Sequence, residues 1–171
     1  MYPLGALSTK FHPSPSIGFW VRTKVEERYS IDAGFSFYVP RRSSEFDYTI
    51  GHQIYKLDAK GFSGMVGTRF SRNFSLDKNF DLVWDSSVGY AFFMYDDRYQ
   101  RGIDKEDGTY NGNSGYTKGF STIHLGQGLK LNYKNVGLQV QYQFTPYSLF
   151  YSELDNDFGS QALTVGLYYR Q

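Results

Sequence analysis

The strongest constraint on this chain is a period of two whose polar phase carries the glycines. Between Gly128 and Phe144, Leu129, Leu131, Tyr133, Val136, Leu138, Val140, Tyr142 and Phe144 are one set, and Gly128, Lys130, Asn132, Gly137, Gln139, Gln141 and Gln143 the other. Side chains of a strand alternate between two faces, so this pattern specifies extended chain and not helix. Lys134-Asn135 supplies a two-residue turn, and Asn tolerates positive φ there. That turn length sets Tyr133 against Val136, Leu131 against Leu138 and Leu129 against Val140. Turn and hydrophobic register therefore agree on one apolar and one polar face.

The same alternation recurs along the chain and predicts strands at 16–26, 31–39, 46–57, 62–76, 80–95, 120–133, 136–145 and 161–170. In the first, Ile17, Phe19, Val21, Thr23 and Val25 oppose Gly18, Trp20, Arg22, Lys24 and Glu26. Residues 1–15, with Pro3, Pro13 and Pro15, read as an irregular lead-in, and 96–119 and 146–160 as two long loops. No helical period and no repeat of fixed length interrupts the pattern. The expectation is a single all-β domain over 1–171, an eight-stranded antiparallel up-and-down sheet. An even strand count places the connections 40–45, 77–79 and 134–135 on the side of the termini. Both long loops then lie opposite, with short connections near 27–30 and 58–61, so the asymmetry between the ends is partial.

Gly18, Gly34, Gly51, Gly67, Gly89, Gly126, Gly128, Gly137 and Gly166 all sit on the polar phase. On a solvated face a mid-strand glycine weakens the strand and packs nothing. Inside an eight-stranded barrel, where space suffices only for side chains, small residues alternating with Arg22, Arg69, Asp85, Lys130 and Gln139 fit. The apolar phase then faces lipid, which makes the expected fold a transmembrane β-barrel. A soluble β-sandwich or lipocalin-like binding module, with the apolar face inside, is the alternative. Composition agrees with a barrel: Tyr 16, Phe 15 and Gly 18 against Pro 5 in 171 residues. A net charge of +1 gives no footprint for nucleic acid, and the absence of cysteine removes disulfides and thiolate chemistry. No apolar run is long enough for a membrane helix. The first residues lack a signal-peptide pattern, so an exported protein is expected here in a mature or recombinant form.

Phe19-Trp-Val-Arg-Thr-Lys-Val-Glu-Glu-Arg-Tyr-Ser-Ile-Asp-Ala-Gly-Phe-Ser-Phe37 and Gly67-Thr-Arg-Phe-Ser-Arg-Asn-Phe-Ser-Leu76 resemble hairpins of small outer-membrane barrels from Bacteroidota, the PorT-like and OmpA-barrel-like proteins. The resemblance implies the outer membrane of a Gram-negative bacterium and a role around protein secretion. Such barrels usually end in an aromatic residue, whereas this chain ends Tyr168-Tyr-Arg-Gln171.

An inward polar face must pair its charges, because isolated buried charges are costly. Arg22, Lys24, Glu26, Asp32, Arg69, Asp85, Lys130 and Gln139 are the expected lumen network, closing the barrel in its middle. His12, His52 and His124 have no serine and acid beside them in a recognisable motif, so no catalytic residues and no enzymatic activity are expected. A lipid-modifying barrel enzyme is the rival reading. No cofactor or metal is expected; Asp104-Lys-Glu-Asp-Gly108 with Asn111 and Asn113 is oxygen-rich but lacks EF-hand spacing. Tyr99, Tyr110 and Tyr116 in one long loop, and Tyr147, Phe150 and Tyr151 in the other, are candidate anchors for an envelope protein partner. The expected role is a non-enzymatic accessory subunit whose other partner is outer-membrane lipid.

Overall fold

The structure, a computed structural model, describes residues 1–5, 8, 11–42, 46–50, 53–57, 61–96, 108, 117–151 and 161–169. Its strands in chain order are β1 Tyr2–Pro3, β2 Phe11–His12, β3 Ser16–Glu26, β4 Tyr29–Tyr38, β5 Arg41–Arg42, β6 Phe46–Ile50, β7 Gln53–Leu57, β8 Gly61–Ser75, β9 Phe80–Asp96, β10 Thr117–Tyr133, β11 Val136–Phe144 and β12 Gln161–Tyr169. A single 3₁₀ turn, Tyr147–Leu149, follows β11. Eight strands form one antiparallel up-and-down sheet in the order β1-β12-β11-β10-β9-β8-β4-β3. The sheet is not closed: among the described residues no ladder joins β3 to β1 or to β12.

The hairpin that set the pattern has the expected register, with Leu129 opposite Val140, Leu131 opposite Leu138 and Tyr133 opposite Val136. The positive φ of its turn falls on Lys134, at 53°, and not on Asn135.

The segment 46–57 is not the third strand of the meander. It folds back on itself as β6 and β7, from Phe46 opposite Leu57 to Ile50 opposite Gln53, in a separate two-stranded sheet. Only Gly51-His52 separates the last pair in sequence, a turn length that a mid-strand glycine had disguised. With that hairpin set aside, β4 pairs directly with β8, from Tyr29 opposite Arg72 to Tyr38 opposite Ser63. The lead-in is not wholly irregular either. It supplies β1 as the eighth strand, and β2, which pairs with β5.

This rearrangement changes the parity of every later connection. The tight connections 27–28, 76–79 and 134–135 now share one end of the sheet. The long connections 39–60, 97–116 and 145–160 share the other. The asymmetry between the two ends is complete, where alternation alone had made it partial.

Burial is inverted relative to a water-soluble sheet. Asp85 and His124 are 1% exposed and Lys130 4%, whereas Val140 is 40%, Val66 52% and Leu129 52% exposed. The sheet curls so that the long strands nearest its two ends, β3 and β12, line one interior cavity. On the outer face the rings of Phe19, Phe35, Phe37, Phe62 and Phe92 touch in series across β3, β4, β8 and β9, with centroids 5.0 to 6.1 Å apart. Nearer the tight turns, Phe80 packs on Tyr133 at 4.9 Å and Tyr29 on Phe70 at 5.6 Å. The buried apolar residues gather mainly inside the long-connection end, where Phe11 of β2 meets Phe93 edge-on at 6.3 Å near Met65, Ala91 and Tyr147. That end is plugged by the lead-in and by the start of the 145–160 connection.

Because β6–β7 lies outside the main sheet, replacing 43–58 by a short Gly-Ser linker is expected to leave the sheet intact. The unfolding free energy should move by less than about 1 kcal/mol, as for changes remote from packed elements. Far-UV circular dichroism and denaturant unfolding check this; loss of the β signal would return 46–57 to the sheet.

Candidate functional site

The inner face gathers polar groups through strand register alone. One cross-strand row runs Arg22 (β3), Asp32 (β4), Arg69 (β8), Ser87 (β9), Gly126 (β10), Gln143 (β11) and Ala162 (β12). Arg22 forks onto Asp32, Nε to Oδ1 at 2.9 Å and Nη2 to Oδ2 at 3.0 Å. Such bidentate pairs are strong because both bonds are charge-assisted. Arg69, beside Asp32 on β8, lays its guanidinium over the Trp20 ring at 3.5 Å. Its Nε has no hydrogen-bond partner among the described residues. One row toward the tight turns, the Lys130 ammonium meets Asp85 Oδ2 at 2.8 Å, both side chains at most 5% exposed.

The glycines make this arrangement possible sterically. Gly128 stands opposite Asp85, and a Cβ there would run into the Asp85 carboxylate. Gly137 stands opposite Tyr168 and leaves room for its ring; Gly34 does the same for Trp20. Each of these three large inward side chains thus has a glycine across the ladder, and Gly67 and Gly89 continue the row from Gly34.

A second group joins Ser87, His124 and Gln141. Gln141 Nε2 donates to Ser87 Oγ at 3.0 Å, and Ser87 Oγ lies 3.1 Å from His124 Nε2. Sequence reasoning missed this serine–histidine contact. Its members are 37 residues apart and meet only because Gly126 pairs with Ser87, two residues from His124. The available signal was their common polar phase on neighbouring strands. A nucleophilic serine also needs its base oriented by a third group and a path for substrate. Among the described residues no carboxylate hydrogen-bonds His124; the trio joins β9, β10 and β11 by hydrogen bonds, and His124 and Gln141 also line the interior cavity.

Arg22, Asp32, Arg69, Asp85, Lys130 and Gln139 are brought to one interior. Lys24 and Glu26 are not. Both are exposed, and a register shift between them places Glu26 opposite Tyr29, on the outer face, while Lys24 stays opposite the inward Ser30. One extra residue in a strand flips every later side chain to the other face, and alternation read from sequence carries no sign of it. Nor do the polar side chains fill the interior. A cavity of about 1150 Å³ remains on the side of β3 and β12, walled by Trp20, Arg22, Asp32, Arg69, Lys130 and Gln139 among others.

The aromatic anchors divide. Tyr147 is buried, not displayed, and burial holds its hydroxyl well above the ordinary tyrosine pKa. Tyr151 is half-buried; its hydroxyl accepts the Ser121 N–H at 3.2 Å and its ring packs on Phe120 at 4.8 Å. Phe150 is exposed beside Leu149. Tyr99, Tyr110 and Tyr116, the oxygen-rich 104–113 set apart from Gly108, and His52 lie outside the described residues. No protein-family model matches this chain, and neither the curated proteins nor the solved structures offer a match.

Asp85→Asn leaves Lys130 as a buried cation with no charge partner and is expected to cost roughly 3–5 kcal/mol in denaturant unfolding. Asp85→Leu combined with Lys130→Met should recover most of that loss, since it removes both charges. Gly128→Val, which drives a branched side chain into Asp85, should cost about 1–3 kcal/mol by overpacking.

Proposed function

We propose that this chain is a small outer-membrane β-barrel protein of the type found in Bacteroidota, acting without catalysis as an accessory subunit of an envelope complex. The observation that carries the reading is the inverted burial. Leu129, Leu138, Val140 and Val66 stand on the exterior at 40% to 52% exposure, and the charged residues line the interior. Water-soluble proteins rarely expose contiguous apolar patches beyond about 300–600 Å². Lipid removes that cost, and a membrane strand needs only about 9–11 tilted residues. β8, β9 and β10 exceed that length with 15, 17 and 17 residues. The aromatic series near both strand ends suits the two membrane–water boundaries. Among the described residues no helix is long and apolar enough to cross a membrane, so strands would do the crossing.

The gathering of short turns at one end and long connections at the other supports an oriented barrel, long connections outward. The accessory role rests on the resemblance to PorT-like barrels and on that end, where Leu149 and Phe150 are exposed at 70% and 60%. There the loops 96–119 and 146–160 would dock an envelope protein, within a secretion assembly in the form the resemblance suggests.

The membrane reading predicts that the native chain sediments with outer membranes, needs detergent for extraction and shifts its gel mobility on boiling. A detergent-free soluble monomer would overturn it. Val140→Arg on the outer face should destabilise the folded protein in lipid by about 2–4 kcal/mol if it lies near the bilayer centre. The accessory reading predicts a protein partner after mild extraction, lost on Leu149→Asp with Phe150→Asp; a protein that runs alone would overturn it.

A further inference from the structure

The outer face is mostly apolar, yet a polar track crosses it on the inner strands β8, β9 and β10. Arg72 of β8 points outward. It stands opposite Tyr29 of β4 and Trp84 of β9, in phase with Phe70 and Phe74 on its own strand. Its guanidinium lies over the Phe74 ring at 4.9 Å and over the Tyr29 ring at 5.7 Å. Phe74 is two residues nearer the tight turns, so the charge is carried toward that end and away from the apolar middle, as a snorkelling side chain carries it. Arg22 and Lys130 each meet a carboxylate inside, whereas Arg72 has no ion pair among the described residues.

Ser86, two residues beyond Trp84 on β9 and so about 7 Å farther from the turns, is outward too. Across the ladder from it stands Gln127 of β10, which is exposed. The Ser86 hydroxyl donates to Gln127 Oε1 at 3.1 Å. That bond occupies the amide oxygen and leaves the Gln127 N–H groups as donors on the outside. Facing hydrocarbon, such donors are costly unless something accepts from them. Farther still from the turns the face is apolar again, with Val88, Leu125 and Val66 exposed. A cation, an amide donor and an apolar stretch thus follow one another from the turn end inward.

We propose that this track seats one anionic phospholipid of the leaflet at the tight-turn end, an inference that rests on the membrane reading. The order of groups along the track is the order within a phospholipid. The phosphate meets Arg72, whose guanidinium stacks on aromatic rings and keeps its N–H edge for a phosphate oxygen. Trp84 lies beside it across the ladder and brings an indole N–H of the kind found at membrane boundaries. The glycerol ester carbonyl, deeper than the phosphate, accepts from Gln127. The acyl chains lie over Val88, Leu125 and Val66. A net-anionic headgroup suits the unpaired Arg72 better than a zwitterionic one, which brings its own cation to the phosphate.

The chain has two tryptophans, so Trp20→Phe leaves Trp84 as the sole fluorescent indole, already at the site. The full chain is reconstituted in phosphatidylcholine bilayers, and Trp84 emission is quenched by brominated phosphatidylglycerol or by brominated phosphatidylcholine. Phosphatidylglycerol is expected to bind beside Trp84 about fivefold more strongly, the worth of one Arg at a charged lipid surface. Arg72→Gln should bring that ratio to about one, and Arg72→Lys should keep part of it. With the indole moved to β11 by Trp84→Phe and Leu138→Trp, the ratio should also be about one. On the unsubstituted chain in detergent, native mass spectrometry should find one retained phosphatidylglycerol, lost with Arg72→Gln and weakened with Gln127→Leu. A ratio near one at Trp84 would overturn the proposal, as would a preference that survives Arg72→Gln or is equal at Leu138→Trp. Equal quenching by both lipids sinks the site alone. No quenching by either lipid sinks the membrane reading and the site with it.

Discussion

The match between a glycine on one strand and a large polar side chain on the next is the contact on which this fold depends. Asp85 can sit inside because Gly128 faces it, Tyr168 because Gly137 does, and Trp20 because Gly34 does. Elsewhere bulk is balanced along a row and not within each pair: Gly34, Gly67 and Gly89 stand in sequence between Trp20 and His124, while Arg22, Asp32 and Arg69 are direct neighbours in another row. Where small meets large, the large side chain has room inside and the charges find partners. Arg22 with Asp32 and Lys130 with Asp85 then hold β3 to β4 and β9 to β10 from the inside. A buried ion pair adds little net stability against apolar replacements, but breaking one is costly, so these pairs favour a single register over its slipped alternatives.

Strand direction is the second constraint. A meander with an odd number of long strands ends parallel to where it began, whatever its side chains. Among the described residues no ladder joins the first long strand to the last, and the remaining polar cavity lies on their side. The same parity collects the tight turns at one end. The interior follows it: apolar packing of Phe11, Phe93, Met65 and Tyr147 sits under the long connections, and ion pairs occupy the middle. The serine–histidine contact belongs to this middle layer and shares its role of tying strands together.

Much of this was legible in the residues. The period of two located the long strands to within a few residues, and the register of the 128–144 hairpin followed from its turn length. The glycine–charge coincidence on one phase identified the face that is buried. Three things were hidden, each for a physical reason. The fold-back that sets Ile50 opposite Gln53 was hidden, because the two residues between them, Gly51-His52, continue the alternation in sequence. The register shift near Val25 left no mark in composition, yet it moved Glu26 to the outside. Ser87 and His124 meet across a ladder, at a sequence separation where no local motif can signal them.

Local alternation by itself determined which side chains share a face, because that depends only on backbone geometry within each strand. It also determined that the polar face would be the crowded one, because the glycines are distributed that way along the chain. Tertiary structure decided which strands are neighbours. It set the 46–57 hairpin aside, paired β4 with β8, and so fixed the direction in which the last strand meets the first. Direction is a global count, altered by a single turn anywhere in the chain, and for that reason the shared direction of β3 and β12 was visible only once the whole sheet had been assembled.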